Sequence, residues 1–289
     1  MATHLVRKLD GALEPFDSSK LVRSLKNAGA TEATVVDIVG HIEREMKDGM
    51  TTSHIYRHAR RLLKKHADSP VAARYSLRRA VLELGPSGFP FETLLGEVFK
   101  KKGYNVRVGE IMKGHCVDHE IDVIAHNDKE LILVEAKFHN AQGFKTDVKV
   151  ALYIHGRFLD LEAGGFEGLV PRGGKAQSWV VTNTKFTENA IRYGTCVGMH
   201  MIGWGYPSKG NVQDLIEEAG LHPLSCLTTL TGKEKETLYQ NGVVLCRGVV
   251  DNPNVLERAG VTGPKVATVL AEANRLCVPF TAEDIKHDA

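Results

Sequence analysis

The sequence predicts an α/β domain placed between two mostly helical segments. Three observations lead to this prediction. Apolar residues recur at helical spacing through residues 17–84 and again from about residue 211 onward. Between these segments, short apolar runs typical of strands alternate with helical patterns. The run GPSGFP at 85–90, with two glycines and two prolines, separates the first segment from the second.

The composition is that of a globular protein. Of the 289 residues, 43% are hydrophobic and 25% are charged, and the formal net charge is only +2. No apolar run approaches the roughly 18 residues that a membrane span requires. The N-terminal MATHLVRKLDG lacks the apolar stretch of a signal peptide. Five scattered cysteines without a CxxC pair disfavour a disulfide framework and a zinc ribbon, so we expect a cytoplasmic protein with no membrane contact.

The changes of pattern define three expected domains, at residues 1–86, 87–210 and 211–289. The first is expected to be mostly helical, with Asp17 or Ser18 as the cap of its first helix. Its expected helices span residues 17–28, 32–48, 53–66 and 69–84. The third domain is also expected to be helical, because two similar helix–turn–helix pieces follow one another at 227–245 and 253–276.

The middle domain alternates helices and strands. Its first helix is expected to end at Gly103, and a polar turn at residues 127–129 is expected to join two strands into a hairpin. The expected elements are helix 91–103, strands 104–108, 119–126 and 130–138, helix 146–161, strand 178–183, helix 186–194 and strand 198–204.

The hairpin brings two acids and a lysine together. Glu135 and Lys137 are two residues apart on one strand, so their side chains lie on the same face. With the turn centred between residues 128 and 129, Asp122 falls directly opposite Glu135, with β-carbons about 4.5–5.5 Å apart. Two carboxylates this close repel each other, so a cation between them is expected.

A hard divalent ion, Mg²⁺ or Mn²⁺, fits this position because it takes one or two carboxylates and completes its shell with water and substrate phosphate. Water on such an ion loses a proton readily and becomes a nucleophile. Lys137 can orient that water and offset charge on a phosphoryl oxygen. The backbone carbonyl of Ala136 is a further candidate ligand, and Glu92 on the preceding helix adds a third acid.

An ordered set of motifs in the middle domain resembles a nuclease family. Glu92, IDVIA at 121–125 and LVEAK at 133–137 resemble the PD-(D/E)XK fold, in its Mrr-like restriction endonuclease branch. VVTNTKFTENAIRYG at 180–194 is similar to the later strand and helix of that branch. The resemblance spans residues from about 90 to 206 and implies a mixed sheet flanked by helices.

The resemblance also implies roles for individual residues. Asp122 and Glu135 would be metal ligands, Lys137 the catalytic lysine and Glu92 an auxiliary acid. Ile121 stands where other members carry a proline before the aspartate.

The N-terminal domain is similar to the ATP-cone, a nucleotide-sensing module of ribonucleotide reductases and their regulators. The similarity begins with VRKLDGALEPFDSSKL at 6–21 and continues through TTSHIY at 51–56 to AARYSLRR at 72–79. It implies a site for ATP or dATP. No Walker motif is present, so the nucleotide would be an effector and not a substrate.

The resemblance implies a set of residues for that site. The lysines would contact the phosphates as point charges, the acid and the threonine would bond sugar or base, and the apolar residues would pack on the base. Arg78 or Arg79 would close over the phosphates. The expected nucleotide-binding residues are Val6, Lys8, Glu14, Phe16, Lys20 and Thr52.

Three further patterns allow more than one interpretation. LERAGVTGPKVATVLAEA at 256–273 resembles a helix-hairpin-helix unit, which would bring Lys265 to DNA phosphates. A dimerisation or packing module is the alternative. A zinc site is suggested by a group of nearby side chains, His115, Cys116, His119, His126 and His139, but His115 and His119 are expected in a loop without matched ligand pairs. His139, on the face of Lys137, is a candidate phosphate contact.

These observations favour a nucleotide-regulated, divalent-metal-dependent DNA endonuclease, acting in restriction or repair. Its partners would be DNA and an adenine nucleotide, and we expect a homo-oligomer. One alternative is a non-catalytic, nucleotide-responsive DNA-binding regulator, although such a protein has no need for opposed carboxylates. Another is a nuclease for RNA or branched DNA, although no aromatic stacking platform for single-stranded RNA is evident.

Overall fold

The structure is a computed structural model, and it describes residues 4–8, 11–66, 69–84, 88–141 and 143–279. The chain forms two compact units. The first unit combines Met1–Ala80 with His222–Ala289, and the second is Val81–Leu221.

Every helix and strand that the sequence predicts for the middle domain is present, and the structure adds short strands that were not predicted. The described helices are α1 (Ser18–Asn27), α2 (Glu32–Glu45), α3 (Thr52–His66), α4 (Ser69–Tyr75), α5 (Leu77–Leu82), α6 (Phe89–Lys101), α7 (Val148–Ala163), α8 (Glu188–Cys196), α9 (Val212–Ala219), α10 (Gly232–Gln240), α11 (Cys246–Asp251), α12 (Asn254–Arg258) and α13 (Pro264–Cys277). The described strands are β1 (Leu5–Arg7), β2 (Leu13–Pro15), β3 (Met50–Thr51), β4 (Asn105–Lys113), β5 (Asp118–His126), β6 (Glu130–Lys137), β7 (Lys145–Thr146), β8 (Lys175–Thr182), β9 (Lys185–Phe186) and β10 (His200–Ile202).

The N-terminal part of the first unit joins a small sheet to a helical core. β1 pairs antiparallel with β2 and parallel with β3, three short strands that the helical pattern did not reveal. Asp17 caps α1, as expected, by accepting a hydrogen bond from the Ser19 backbone N–H at 3.0 Å. The apolar faces of α1, α2 and α3 meet in a common core, which includes Leu25, Ile38 and Leu63.

The expected helix 69–84 is two helices, α4 and α5, with the break at Ser76. The Ser76 hydroxyl donates to the backbone carbonyl of Ala72 at 2.9 Å and accepts from Arg60 Nε at 2.6 Å. A serine bonded in this way competes with the helical backbone pattern, which accounts for the break. Ser69 and Pro70, the expected cap and first turn, have side chains outside the described residues.

The C-terminal helices belong to the same unit as the N-terminal ones, because α13 packs on α4 and α11 packs on α13. Glu272, only 3% exposed, accepts hydrogen bonds from the backbone N–H groups of Thr228 and Thr229. The expected boundary at residues 86 and 87 lies outside the described residues. Helix α9, assigned by sequence to the third domain, packs on α6 in the second unit.

The second unit is a mixed five-stranded sheet with helices packed on it, as the nuclease resemblance implies. The strand order is β10-β8-β6-β5-β4. β5 runs antiparallel to both β4 and β6, whereas β6, β8 and β10 are parallel to one another. The hairpin turn forms because Asn127 Oδ1 accepts from the N–H groups of Lys129 and Glu130, at 2.9 and 3.0 Å. None of the helices described has both the length and the apolar character that a membrane crossing needs.

Candidate active site and nucleotide pocket

The register of the β5–β6 hairpin is the one expected from its turn. Val123 lies opposite Val134, so Asp122 and Glu135 are the next residues along the two strands. Asp122 Oδ2 accepts a hydrogen bond from the backbone N–H of Ala136 at 2.7 Å. The aspartate thus reaches across to the strand that carries the glutamate.

Two cationic side chains contact the carboxylate of Glu135. Its side chain is 5% exposed and forms ion pairs with Lys137 Nζ on the same strand and with Arg157 Nη2 on α7. The Lys137 side chain is 37% exposed, so its ammonium lies where a ligand can approach. Asp122, Glu135, Lys137 and the backbone of Ala136 therefore meet at one end of the hairpin.

Acidic side chains lie close together in the site, and this affects the pKa values of two of them. Burial, and then the negative charge of Glu135, raise the pKa of Asp122 to about 6, against the opposing effects of the Ala136 N–H and of Lys137. Burial, followed by repulsion from Asp122, also raises the pKa of Glu92. Glu92 on α6 therefore shares the electrostatic environment of the hairpin acids, as expected of a third acid.

This donor set suits a hard divalent ion. Carboxylate oxygens and a backbone carbonyl are the ligands that Mg²⁺ and Mn²⁺ prefer. A buried carboxyl whose pKa is raised by a neighbouring acid gains most from a nearby cation, because the cation removes the cause of the shift. Asp122 meets this condition, with Glu135 as the neighbouring acid, and the Ala136 carbonyl directly follows Glu135 in the chain.

Arg157 is a site residue that the sequence analysis missed. Its side chain is 9% exposed, and besides pairing with Glu135 it donates from Nη1 to the backbone carbonyl of Glu120 at 2.9 Å. The sequence contained a signal for it. Arg157 follows Ile154 by three residues and precedes Leu161 by four, so it lies on the apolar face of α7.

His139, the candidate phosphate contact, is held by its neighbours. Its backbone N–H and carbonyl both bond the side chain of Asn183, at 2.9 and 2.7 Å. Its ring stacks on Phe144 with a centroid distance of 5.4 Å. Burial lowers the pKa of His139, so a neutral imidazole is expected here, which weakens the case for a phosphate contact.

A cavity of about 310 Å³ lies in the N-terminal part of the first unit. All six residues expected to bind the nucleotide line it, and so does Arg78, whereas Arg79 does not. The remaining lining residues are Pro15, Asp17, Leu21, Ser24, Ile55, Tyr56 and Tyr75.

The pocket combines cations with aromatic rings. Lys8 Nζ lies 2.9 Å from Glu14, and Lys20 Nζ lies 3.8 Å from Asp17. Arg78 differs from both lysines, because its buried Nε has no hydrogen-bond partner among the described residues. Burial lowers the pKa of Arg78, and an anion in the pocket would offset the cost of desolvating this cation.

The aromatic part of the pocket was not anticipated. The rings of Tyr56 and Tyr75 stack with a centroid distance of 5.1 Å and an interplanar angle of 10°. Burial raises the pKa of both hydroxyls. The two tyrosines come from α3 and α4, so only the folded structure brings them together.

The structure shows the surroundings of two further groups that the sequence analysis left open. Lys265 Nζ bonds both carboxylate oxygens of Glu234, at 2.6 and 2.7 Å, and so is already paired. His119 Nε2 lies 2.8 Å from Asp160 Oδ2, which ties the start of β5 to α7. Within the described residues, His115 and His119 do not belong to any group of three metal-ligand side chains.

Comparisons with known proteins find matches to three parts of the chain. Residues 4–82 match the ATP cone domain, residues 85–154 match a restriction endonuclease domain, and residues 222–277 match the AF1548-like C-terminal domain. The chain is 36% identical over 183 residues to an uncharacterized protein of Archaeoglobus fulgidus, covering 63% of this chain and 99% of that protein.

A solved structure is also similar. The crystal structure of AF1548, a protein of unknown function, matches with a TM-score of 0.50 and 34% identity, over 66% of this chain and 98% of that one. Both relatives are matched over nearly their whole length. The chain therefore belongs to the AF1548-like family, with an ATP-cone domain preceding its restriction endonuclease domain.

Proposed function

We propose that the protein is a divalent-metal-dependent DNA endonuclease whose activity is regulated by an adenine nucleotide. The observation that carries the proposal is the meeting of Asp122 and Glu135 at the end of one hairpin, with Lys137 on the same strand. Glu92 adds an acid within electrostatic range of Asp122. The restriction endonuclease match over residues 85–154 contains all four residues.

Asp122, Glu135 and the carbonyl of Ala136 would hold Mg²⁺ or Mn²⁺. When bound, the ion supplies Lewis-acid stabilisation of a phosphoryl oxygen and makes its water more acidic. Lys137 orients the nucleophile and offsets charge on the phosphate, since its ammonium is partly exposed beside Glu135. Glu92, with its raised pKa, is an auxiliary acid that can hold a proton near the reacting group.

The nucleotide would act as an effector in the pocket around Arg78. Lys8, Lys20 and Arg78 supply positive charge for the phosphates, and Val6 and Phe16 supply apolar surface for the base. ATP or dATP is the proposed ligand, since the cone matches residues 4–82. A nucleotide changes the nuclease only if it binds two states of the protein with different affinity.

One observation favours the alternative of a non-catalytic, nucleotide-responsive DNA-binding regulator. Glu135 is paired with both Lys137 and Arg157, so its charge is compensated without a metal. A DNA-binding domain that never bound metal would retain these two ion pairs. It would not need a second acid beside Glu135, however, because burial and then the charge of Glu135 raise the pKa of Asp122, so that ionising Asp122 costs stability.

The test is cleavage of supercoiled plasmid by the purified protein with Mg²⁺ or Mn²⁺, alone or with ATP or dATP. We expect metal-dependent nicking that Glu135→Gln and Lys137→Met abolish. Lys129→Met is the matched control, because Lys129 is an exposed lysine in the turn at the other end of the hairpin. Plasmid binding without cleavage under every metal and nucleotide would instead support the regulator.

A further inference from the structure

A cluster of metal-ligand side chains lies between helices α2 and α3, outside both sites described above. His41 and Glu45 are one turn apart on α2, and His58 lies on α3. One ligand atom from each of the three lies within 4.8 Å of the others. His41 Nε2 is 3.1 Å from Glu45 Oε1, and His58 Nδ1 is 3.4 Å from Glu45 Oε2.

These separations are those of ligands around one small ion. Zinc lies about 2.0–2.2 Å from imidazole nitrogen and carboxylate oxygen, so two tetrahedral ligands are about 3.3 Å apart. The rings of His41 and His58 are nearly perpendicular, at 89°, with centroids 5.2 Å apart. Two imidazoles and a carboxylate form a ligand set that zinc uses with an open fourth position.

The cluster is only partly open to solvent. His58 is 6% exposed. The Glu45 side chain is 53% exposed, so water reaches the cluster from that side.

We propose that His41, Glu45 and His58 form a binding site for Zn²⁺ or a similar divalent transition metal. Mg²⁺ is excluded as the natural ligand, because imidazole selects transition metals over hard cations. The ion would clamp α3 to α2. Since Thr52, Ile55 and Tyr56 of α3 line the nucleotide pocket, the clamp would fix one wall of that pocket. This inference does not depend on nuclease activity.

The sequence contains a spacing pattern for this site, but only the fold brings its two parts together. HIERE at 41–45 and HIYRH at 54–58 each place two ligand residues four apart on one helix face. His54, the remaining member, is exposed, and its ring centroid is 6.3 Å from that of His58. It lies outside the group of three, so it is not among the proposed ligands.

The test counts zinc bound to the full chain after incubation and gel filtration. Wild type should carry one equivalent more than His41→Gln and Glu45→Gln, two substitutions at partly exposed positions that leave the core intact. His126→Gln, in the second unit, and Asp122→Asn, at the nuclease site, should both retain that equivalent. Cobalt in place of zinc should give visible absorption in wild type that the first two variants lose.

A second readout addresses the clamp itself. Zinc should raise the unfolding temperature of wild type but not that of Glu45→Gln, because only a metal bound to the folded state stabilises it. Equal zinc content in wild type, His41→Gln and Glu45→Gln would overturn the proposal. So would loss of the equivalent from Asp122→Asn alone.

Discussion

Arg157 on α7 forms an ion pair with Glu135 on β6, and both side chains are nearly fully buried, at 9% and 5% exposed. The pair joins a helix to the strand that carries the candidate active site. It also compensates the charge of Glu135 without any metal. The stability and the activity of the second unit are therefore expected to depend on the same carboxylate.

Arg157→Met is expected to destabilise the protein by about 3 kcal/mol, because removing one partner leaves a buried charge. This destabilisation lies at the low end of the range for breaking a buried ion pair, because Lys137 still contacts Glu135 in the variant. Urea unfolding measures the change. Lys149→Met, at an exposed position on the same helix, is the control and should shift the midpoint little.

A double-mutant cycle refines this prediction. In the Glu135→Gln background, Arg157→Met should cost much less, because the buried carboxylate is gone. Equal costs in the two backgrounds would show that the ion pair does not couple the helix to the strand.

Asp122→Asn is expected to raise the free energy of unfolding of the metal-free protein above pH 6 by about 1–2 kcal/mol. This value is smaller than the full pKa shift would give, because the Asp122 side chain is only partly buried. The folded pKa of Asp122, about 6, exceeds its ordinary value of 3.8. Ionising it therefore costs stability as the pH rises from about 4 through 6. Asparagine avoids that cost and can still accept the Ala136 N–H.

Urea unfolding in EDTA at pH 4 and pH 7 tests this expectation. The stability difference between Asp122→Asn and wild type should be small at pH 4 and large at pH 7. An equal difference at both values would mean that the aspartate does not titrate in this range.

His222 gives the opposite pH dependence in the first unit. It is fully buried, and burial, followed by the positive charge of Arg74, lowers its pKa from 6.5 to about 4. The unfolded chain therefore takes up a proton before the folded chain does, and stability is lost as the pH falls from about 6.5 to 4. The full loss is about 3 kcal/mol.

The slope of unfolding free energy against pH measures this loss. His222→Leu should flatten the slope between pH 4 and 6.5, whatever its effect on stability at pH 7. A slope in His222→Leu as steep as in wild type would contradict a buried neutral imidazole.

Arg78→Met is expected to weaken ATP binding by about 10–100-fold, the effect of losing one charge-assisted hydrogen bond. The buried Nε without a partner among the described residues is the reason to single out this cation. Calorimetry with ATP and with adenosine checks the assignment. Adenosine affinity should change little, and Arg44→Met, at an exposed position on α2, should bind ATP normally.

The hairpin shows how far sequence reasoning reached. Its turn residues, its register and the position of Asp122 near Glu135 follow from local pattern, because strand geometry fixes which residues lie opposite. Arg157 was missed because its partner is 22 residues away and lies on another element. An arginine on the apolar face of a helix indicates that a buried partner exists, but the sequence does not identify that partner.

The first unit contains several features that local sequence patterns do not predict. Four helices and the pocket residues could be anticipated, but not the break at Ser76, which depends on a hydrogen bond from Arg60 on a different helix. The packing of α13 on α4 joins residues almost 200 positions apart, and no local pattern encodes it. The tyrosine stack and the His41 cluster likewise depend on tertiary packing.

The most direct test of nucleotide control is the rate of plasmid cleavage as a function of ATP at constant free Mn²⁺. We predict that ATP changes the wild-type rate, and that Arg78→Met requires a higher ATP concentration for the same change, by the factor that its ATP affinity falls. A wild-type rate that is constant from zero to saturating ATP, in protein that binds ATP, would contradict the account.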